Sequence, residues 1–272
     1  MSNHTCSIDG IPFRLKAPFD FDFLSRWGRV FKVFDDQDSG NICFGTEKDG
    51  ERFFVKFAGA PTARGCVSSG TACENLRATV PIYRDLRHPN LIELIETAET
   101  GGGFAMVFRW ADGDCMGRMY PEAHERFMVL PAETKLKVFS DISEFLAHVA
   151  AKGYAAIDFY DGSILCDAAT GQTRICDIDF FRRQPCVNDM GRMWGSSRFQ
   201  SPEEYELGAV IDEITNVYTL GATAFSLFTD SDRSREAWPL SQHRYDCACR
   251  AVSEDRKKRH PSIRAFIEDW NA

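Results

Sequence analysis

The sequence predicts an α+β protein of two lobes: a small antiparallel β-rich lobe with one helix, then a larger, mainly helical lobe. Three observations carry that expectation. Strand-like runs separated by Asp/Gly turns fill the first third, apolar residues recur at helical spacing beyond residue 110, and two short strands inside the helical part each lie beside an aspartate. The expected division is an N-terminal extension over 1–25, a first lobe over 26–109 and a second over 110–272, with the connector at about 109–113.

In the first lobe, Arg29-Val-Phe-Lys-Val-Phe34, Asn41-Ile-Cys-Phe44 and Arg52-Phe-Phe-Val-Lys-Phe57 are strand-like, and Lys48-Asp-Gly-Glu51 is a hairpin signal. A helix is expected over roughly 70–87, started or kinked by Pro81. Leu91-Ile-Glu-Leu-Ile95 and Phe104-Ala-Met-Val-Phe108 follow as strands joined through Gly101-Gly-Gly103. In the second lobe, Leu136, Phe139, Ile142, Leu146 and Val149 mark an amphipathic helix that Gly153 ends. Ile214, Val217, Leu220, Ala224 and Phe228 belong to a segment apolar nearly all round, hence a buried central helix, and a last helix follows Pro261.

A chain of 272 residues is long enough to bury a substantial core, and 44% hydrophobic with 26% charged residues is an ordinary globular balance. The net charge of −8 argues against nucleic acid or an anionic membrane as a partner, since both need clustered cations. The one basic run, Arg256-Lys-Lys-Arg259, reads as a solvated face. Ten cysteines without a C-x-x-C pair fit neither a zinc ribbon nor a secreted disulfide framework. With no leader pattern and no apolar run of membrane-spanning length, the expected location is cytoplasmic and reducing.

The chemistry concentrates in Ala155-Ala-Ile-Asp-Phe-Tyr-Asp-Gly-Ser-Ile-Leu165 and Arg174-Ile-Cys-Asp-Ile-Asp-Phe180. A hairpin over these segments presents Asp158 before its first strand and Asp177 after its second. Phosphoryl transfer needs such a pair: one carboxylate to orient and deprotonate a hydroxyl, another to hold Mg²⁺ on the phosphates. The plain alternative for Asp158 is a turn-capping residue.

Other segments resemble the protein kinases in order and spacing. Gly195-Ser-Ser-Arg-Phe-Gln-Ser-Pro-Glu203 is similar to the G-T-x-x-Y-x-A-P-E end of a kinase activation segment, and Asn216-Val-Tyr-Thr-Leu-Gly221 to the D-x-x-S-L-G start of the central helix. Asp255-Arg-Lys-Lys-Arg259 matches D-x-x-x-R, whose arginine pairs with the glutamate equivalent to Glu203. His88-Pro-Asn-Leu-Ile92 matches H-P-N-I/L-V. The resemblance runs from about Arg29 to the end and implies a two-lobed protein kinase-like fold that uses ATP and Mg²⁺.

Carried over residue by residue, the resemblance makes Lys56 the lysine that holds the α/β-phosphates; the ordinary alternative is a strand lysine facing solvent. Gly40 and Ile42 take the positions of the last loop glycine and the following valine. Asp158 becomes the catalytic base, with Ala156-Ile157 in place of His-Arg. Ser163 stands at the metal-binding asparagine, and Tyr160 at the lysine common in Ser/Thr kinases. Asp177 takes the metal aspartate, Ile178-Asp179 replacing Phe-Gly. In an extended strand residues two apart share a side, so Asp179 is a candidate to join or replace it. The adenine is expected between the lobes on backbone groups of Arg109 and Ala111, over Leu165, with Phe108 behind it.

Several positions depart from the family pattern. The phosphate-loop glycines read Asp35-Asp-Gln-Asp-Ser-Gly40, Phe54 replaces a small alanine, and Thr79 and Pro81 fall where the regulatory helix carries an acid, Glu74 lying more than a turn earlier. Three readings follow. A Ser/Thr-directed protein kinase is favoured by Lys56, Asp158 and Asp177. A small-molecule kinase of related fold is disfavoured by Ser201-Pro-Glu203 and Arg259. A pseudokinase acting as a binding module is favoured by the acidic loop, Phe54 and Ser163.

Overall fold

The computed structural model describes residues 4–272, so the first three residues of the predicted N-terminal extension lie outside the described residues. The chain packs as two compact units. One comprises the described residues up to Arg84 with Ile92–Ala111; the other comprises Asp85–Leu91 with Asp112–Ala272.

The first unit opens with a hairpin, β1 (His4–Ile8) and β2 (Ile11–Leu15), turned at Asp9-Gly10, both left-handed. A short 3₁₀ turn over Asp22–Trp27 follows. Strands β3 (Arg29–Phe34), β4 (Asn41–Lys48) and β5 (Glu51–Ala58) come next, then helix α1 (Ser69–Asp85), then β6 (Leu94–Thr100) and β7 (Gly103–Arg109). The sheet order is β3-β4-β5-β7-β6, all antiparallel. Asp49 and Gly50 have φ of 54° and 83°, the paired left-handed torsions that a two-residue hairpin of matching twist requires. Pro81 lies inside α1 without ending it.

Residues 4–27 do more than extend the lobe. Phe13, Leu15, Phe21, Leu24 and Trp27 join Val30, Ile42, Phe44, Val55 and Phe57 in one buried cluster, so they cover the sheet's outer face. Phe21 alone has five ring neighbours there: Phe13, Phe19, Phe23, Phe44 and Phe57. Asp9 accepts the Val30 amide at 2.7 Å, fixing the hairpin to β3.

One expected strand is displaced. Leu91 and Ile92 lie ahead of β6, because the amide of Leu91 donates to His88 O and closes a turn at His-Pro-Asn.

In the second unit, β8 (Asp114–Cys115) precedes α2 (Pro121–Met128), α3 (Ala132–Ala151) and β9 (Tyr154–Ala155). Strands β10 (Ile164–Asp167) and β11 (Gln172–Ile175) form the expected hairpin, with β8 on the far side of β10. Two-residue strands β12 (Arg182–Arg183) and β13 (Cys186–Val187) pair with β9 and with β14 (Val210–Ile211). Helices α4 (Glu213–Thr229), α5 (Gln242–Ala251) and α6 (Ile263–Trp270) complete the unit. All residues of α4 from Thr215 to Phe228 are buried, as its all-round apolar pattern predicts. Asp212 caps its N-terminus by accepting the Ile214 amide at 2.8 Å. Among the described residues no helix is long and apolar enough to cross a membrane.

Candidate active site

In the first unit, strand alternation fixes which side chains share a face. Lys56 of β5 pairs with Cys43 on one side and Met106 on the other, so these three point the same way. Ile42 is opposite Phe57, and both are fully buried in the apolar cluster on the other face. The sequence placed Ile42 at the nucleotide; the period of two puts Asn41 and Cys43 on the Lys56 side instead. Helix α1 packs on that side, where the Thr79 hydroxyl donates to Leu76 O at 2.8 Å and lies 3.3 Å from the Met106 sulfur. Thr79 therefore brings a neutral hydroxyl to the neighbourhood where the resemblance expects an acid, while Glu74 is exposed.

Phe54 also lies on the Lys56 face. Its ring packs against Phe34 at 5.6 Å and against Phe108 at 6.3 Å, and Tyr83 backs Phe108 at 4.9 Å. Opposite Phe54 stands Gly45, where a Cβ would come within 2.7–2.9 Å of the Phe31 and Trp110 rings. Gly40 is buried with φ of 85° and is hemmed in by Val67 and Ala72. The acidic loop before it is partly neutralised within the unit. Asp35 accepts the Arg14 amide at 2.8 Å, and Asp36 pairs with Arg64 at 2.7 Å. Of the expected adenine contacts, Arg109 donates its amide to Glu93 O and its side chain to the Glu93 carboxylate. Ala111 is half-buried.

In the second unit, Asp158 sits on the segment after β9, held between buried Ile157 and Phe159. The segment is tied to α4 by a two-way amide pair: the Ala156 amide donates to Asn216 Oδ1 at 2.7 Å, and Asn216 Nδ2 donates to Ala156 O at 2.8 Å. Asparagine, in place of the family's aspartate, supplies both partners. The 3₁₀ turn Asp161–Ser163 follows, and the Cys176 amide donates to Ser163 O at 2.9 Å, joining this turn to the segment after β11.

Asp177 lies two residues beyond β11 and is exposed, and fully buried Ile178 anchors the chain beside it. Asp179 does not continue a strand: Phe181 N donates to Ile178 O at 3.1 Å and closes a turn. The extended geometry that would have aligned Asp179 with Asp177 is absent, because Asp177 itself is left-handed at φ 56°. Leu165 is half-buried at the centre of the β11-β10-β8 sheet.

Six non-glycine residues among those described have left-handed torsions. Asp9 and Asp49 turn hairpins, and Asp230 and Ser231 end α4. The remaining two are Asp158 at 60° and Asp177 at 56°. Such torsions cost energy and concentrate where function holds them. Both carboxylates also act on Tyr160. Burial pushes its phenol up, and the charges of Asp177 and Asp158 push it further. Burial likewise raises the Cys115 thiol to about 11, helped by Asp161 and Asp177. The structure thus brings Asp158, Asp177 and Tyr160 into one electrostatic neighbourhood.

Asp161 belongs to no sequence motif but is part of the site's scaffold. It is 1% exposed and pairs with Arg198 at 2.7 Å, linking the Asp158 segment to the Gly195–Glu203 segment. An aspartate three residues after the proposed base was visible in the sequence, but no motif marked it. The expected Glu203–Arg259 pair is bidentate, at 2.6 and 2.9 Å, and buried. Arg256, read as part of a solvated run, reaches Glu203 as well, at 3.1 Å. Burial opposes the Glu203 charge, but its bond from Arg259 holds the carboxyl below the usual range.

A five-stranded antiparallel sheet with one helix, a helical unit built round a buried α4, and an acidic hairpin tied to it define the protein kinase fold. The chain belongs to the protein kinase domain family, which it matches over residues 39–264. It is similar to smooth-muscle myosin light chain kinase of Gallus gallus, 23% identical over 203 residues, or 74% of this chain and 10% of that protein. It is similar also to LEAF RUST 10 disease-resistance locus receptor-like protein kinase-like 1.3 of Arabidopsis thaliana, 24% identical, covering 84% of this chain and 32% of that protein. A third relative, MAP kinase-interacting serine/threonine-protein kinase 2 of Xenopus laevis, is 25% identical over 54% of this chain and 34% of its own length. The chain thus spans a third or less of the length of the first two relatives.

Proposed function

We propose that this protein is an ATP- and Mg²⁺-dependent kinase of the serine/threonine type, transferring the γ-phosphoryl group to a hydroxyl acceptor. Among the described non-glycine residues, only Asp158 and Asp177 hold a left-handed backbone outside the hairpin turns and the end of α4, and this carries the reading. The residues fit a hard divalent cation: the donors are oxygens, and the Ser163 Oγ is buried without a hydrogen-bond partner. Asp177 would hold the ion, with the Ser163 hydroxyl as a further oxygen donor. When bound, Mg²⁺ supplies neutralisation of phosphate charge.

The chain's own groups do the rest. Asp158 accepts the proton of the acceptor hydroxyl and orients its oxygen. Lys56 neutralises phosphate oxygens, and Cys43, its partner across the ladder, lies beside it in place of Ile42. The Arg109 carbonyl and the Ala111 backbone bond the adenine, Phe108 backs it, Leu165 offers it apolar surface, and Gly40 closes the phosphate loop. The Asn216 pair and the Asp161–Arg198 bridge position the base without touching substrate.

A nucleotide thermal-shift measurement with and without Mg²⁺, followed by an ADP-release assay, tests this reading. We expect a Mg²⁺-dependent stabilisation by ATP. In Asp158→Ala we expect nucleotide binding nearly unchanged and turnover abolished, a loss of several kcal/mol in transition-state stabilisation. Turnover surviving in that variant overturns the assignment of the base. The second reading, a pseudokinase used as a binding module, is favoured by the aromatic rings of Phe31, Trp110 and Phe54 crowding the Lys56 face. Absence of any shift with any nucleotide selects it.

A further inference from the structure

Helices α5 and α6 bring together three donors that the kinase chemistry does not use. Cys247 of α5 is 3% exposed, His260 is 1% exposed, and Asp269 of α6 is half-buried. The Cys247 sulfur lies 3.7 Å from His260 Nε2, and the Asp269 carboxylate lies 2.8 Å from the same nitrogen. All three donor atoms fall within 4.8 Å of one another. In a proton relay, thiol and carboxylate would sit on opposite ring nitrogens. Here both converge on Nε2, which has one proton to give, while Nδ1 is buried with no partner.

We propose that Cys247, His260 and Asp269 form a site for a zinc-class divalent cation, independent of the proposed catalytic residues. A thiolate, an imidazole and a carboxylate suit a borderline-soft ion and exclude Mg²⁺, which takes oxygen ligands. Tetrahedral zinc with ordinary bond lengths separates sulfur from nitrogen by about 3.5 Å, close to the spacing found. Binding releases the thiol proton to solvent and leaves the ring proton on Nδ1. The fourth position falls to water, because His243 Nε2, 3.6 Å from Asp269 Oδ1, is already engaged by the Asp269 backbone carbonyl. The position of His260 is fixed by its neighbour Arg259, which is locked to Glu203. One group competes with the metal: Arg250 lies 3.5 Å from Asp269 Oδ2.

The full chain, stripped with chelator, is titrated with Co²⁺ as a spectroscopic stand-in for Zn²⁺, following thiolate-to-metal absorption in the near ultraviolet. One equivalent is expected to develop the band. Cys247→Ser should abolish it, and Asp269→Asn should weaken binding by at least about tenfold. Arg250→Gln should tighten binding by about two- to fivefold, the worth of an exposed ion pair removed. Because Asp269 lies at the surface, Asp269→Asn decides the matter should Cys247→Ser fail to fold. No band, a band that survives Cys247→Ser, unchanged affinity in a folded Asp269→Asn, or a band lost in Cys176→Ser beside the proposed catalytic aspartate overturns the site.

Discussion

Aspartate at 158 and 177 serves the backbone as well as the proposed chemistry, since Asp and Asn tolerate the left-handed region better than other non-glycine residues. The two roles separate by substitution. Asp177→Asn should keep the fold's stability while removing the Mg²⁺-dependent part of the nucleotide shift. Asp177→Ala should lose that part and also about 1 kcal/mol of stability, read by chemical denaturation. Glu204 offers a second test. Burial raises its carboxyl to about 7, outweighing the bonds from the Ser201 amide and hydroxyl that favour the anion. With the folded value above the unfolded one, its stabilising effect is complete below pH of about 4.5 and is lost as pH rises through 7. Roughly 3 kcal/mol of stability should disappear over that window, and Glu204→Gln should flatten it. The hairpin flanked by the two aspartates was legible in the sequence. Their torsions, and the burial that perturbs Glu204, were not, because both depend on contacts made far along the chain.

Among the elements, those punctuated by glycine were read most closely. The Asp49-Gly50 turn brackets strands, and the Gly101-Gly102 turn precedes a strand, whose ends agree with expectation within a few residues, because two-residue turns set register locally. Errors arose where a turn hides in an apolar run. The chain bends at Leu91 before β6 begins, and again at Ile178–Phe181, where an extended run had been expected to align Asp179 with Asp177. Ile42 was misplaced for a different reason: one residue of register in a strand changes the face, and sequence spacing alone does not fix it. The short helices α2 and α5 carry no strong signal in the sequence, and neither does the β1–β2 hairpin, whose strands are only five residues long and include Pro12. That hairpin and the turn after it deliver the aromatic cover of the sheet. Phe21→Ala should therefore destabilise the protein by about 3–5 kcal/mol, measured by denaturant titration, although it lies outside every proposed catalytic segment.

At the scale of the whole molecule, the order of motifs identified the family although several family positions are substituted. Lys56, Asp158, Asp177, Glu203 and Arg259 occur in the right sequence, and a buried pair such as Glu203–Arg259 constrains two distant segments at once. Arg256 escaped notice because an exposed basic run and a buried ion-pair network look alike in one dimension. The family match begins at residue 39, whereas the apolar cluster of the first unit draws on residues from Phe13 onward. A version trimmed to residues 39–264 should expose Ile42, Phe44, Val55 and Phe57 and aggregate, a result that solubility and light scattering would register. A version that stays monomeric with native stability would contradict this. The stretch shared with the family is thus shorter than the stretch that encloses this core, and the residues before it act as insulation for a sheet that kinship alone would leave bare.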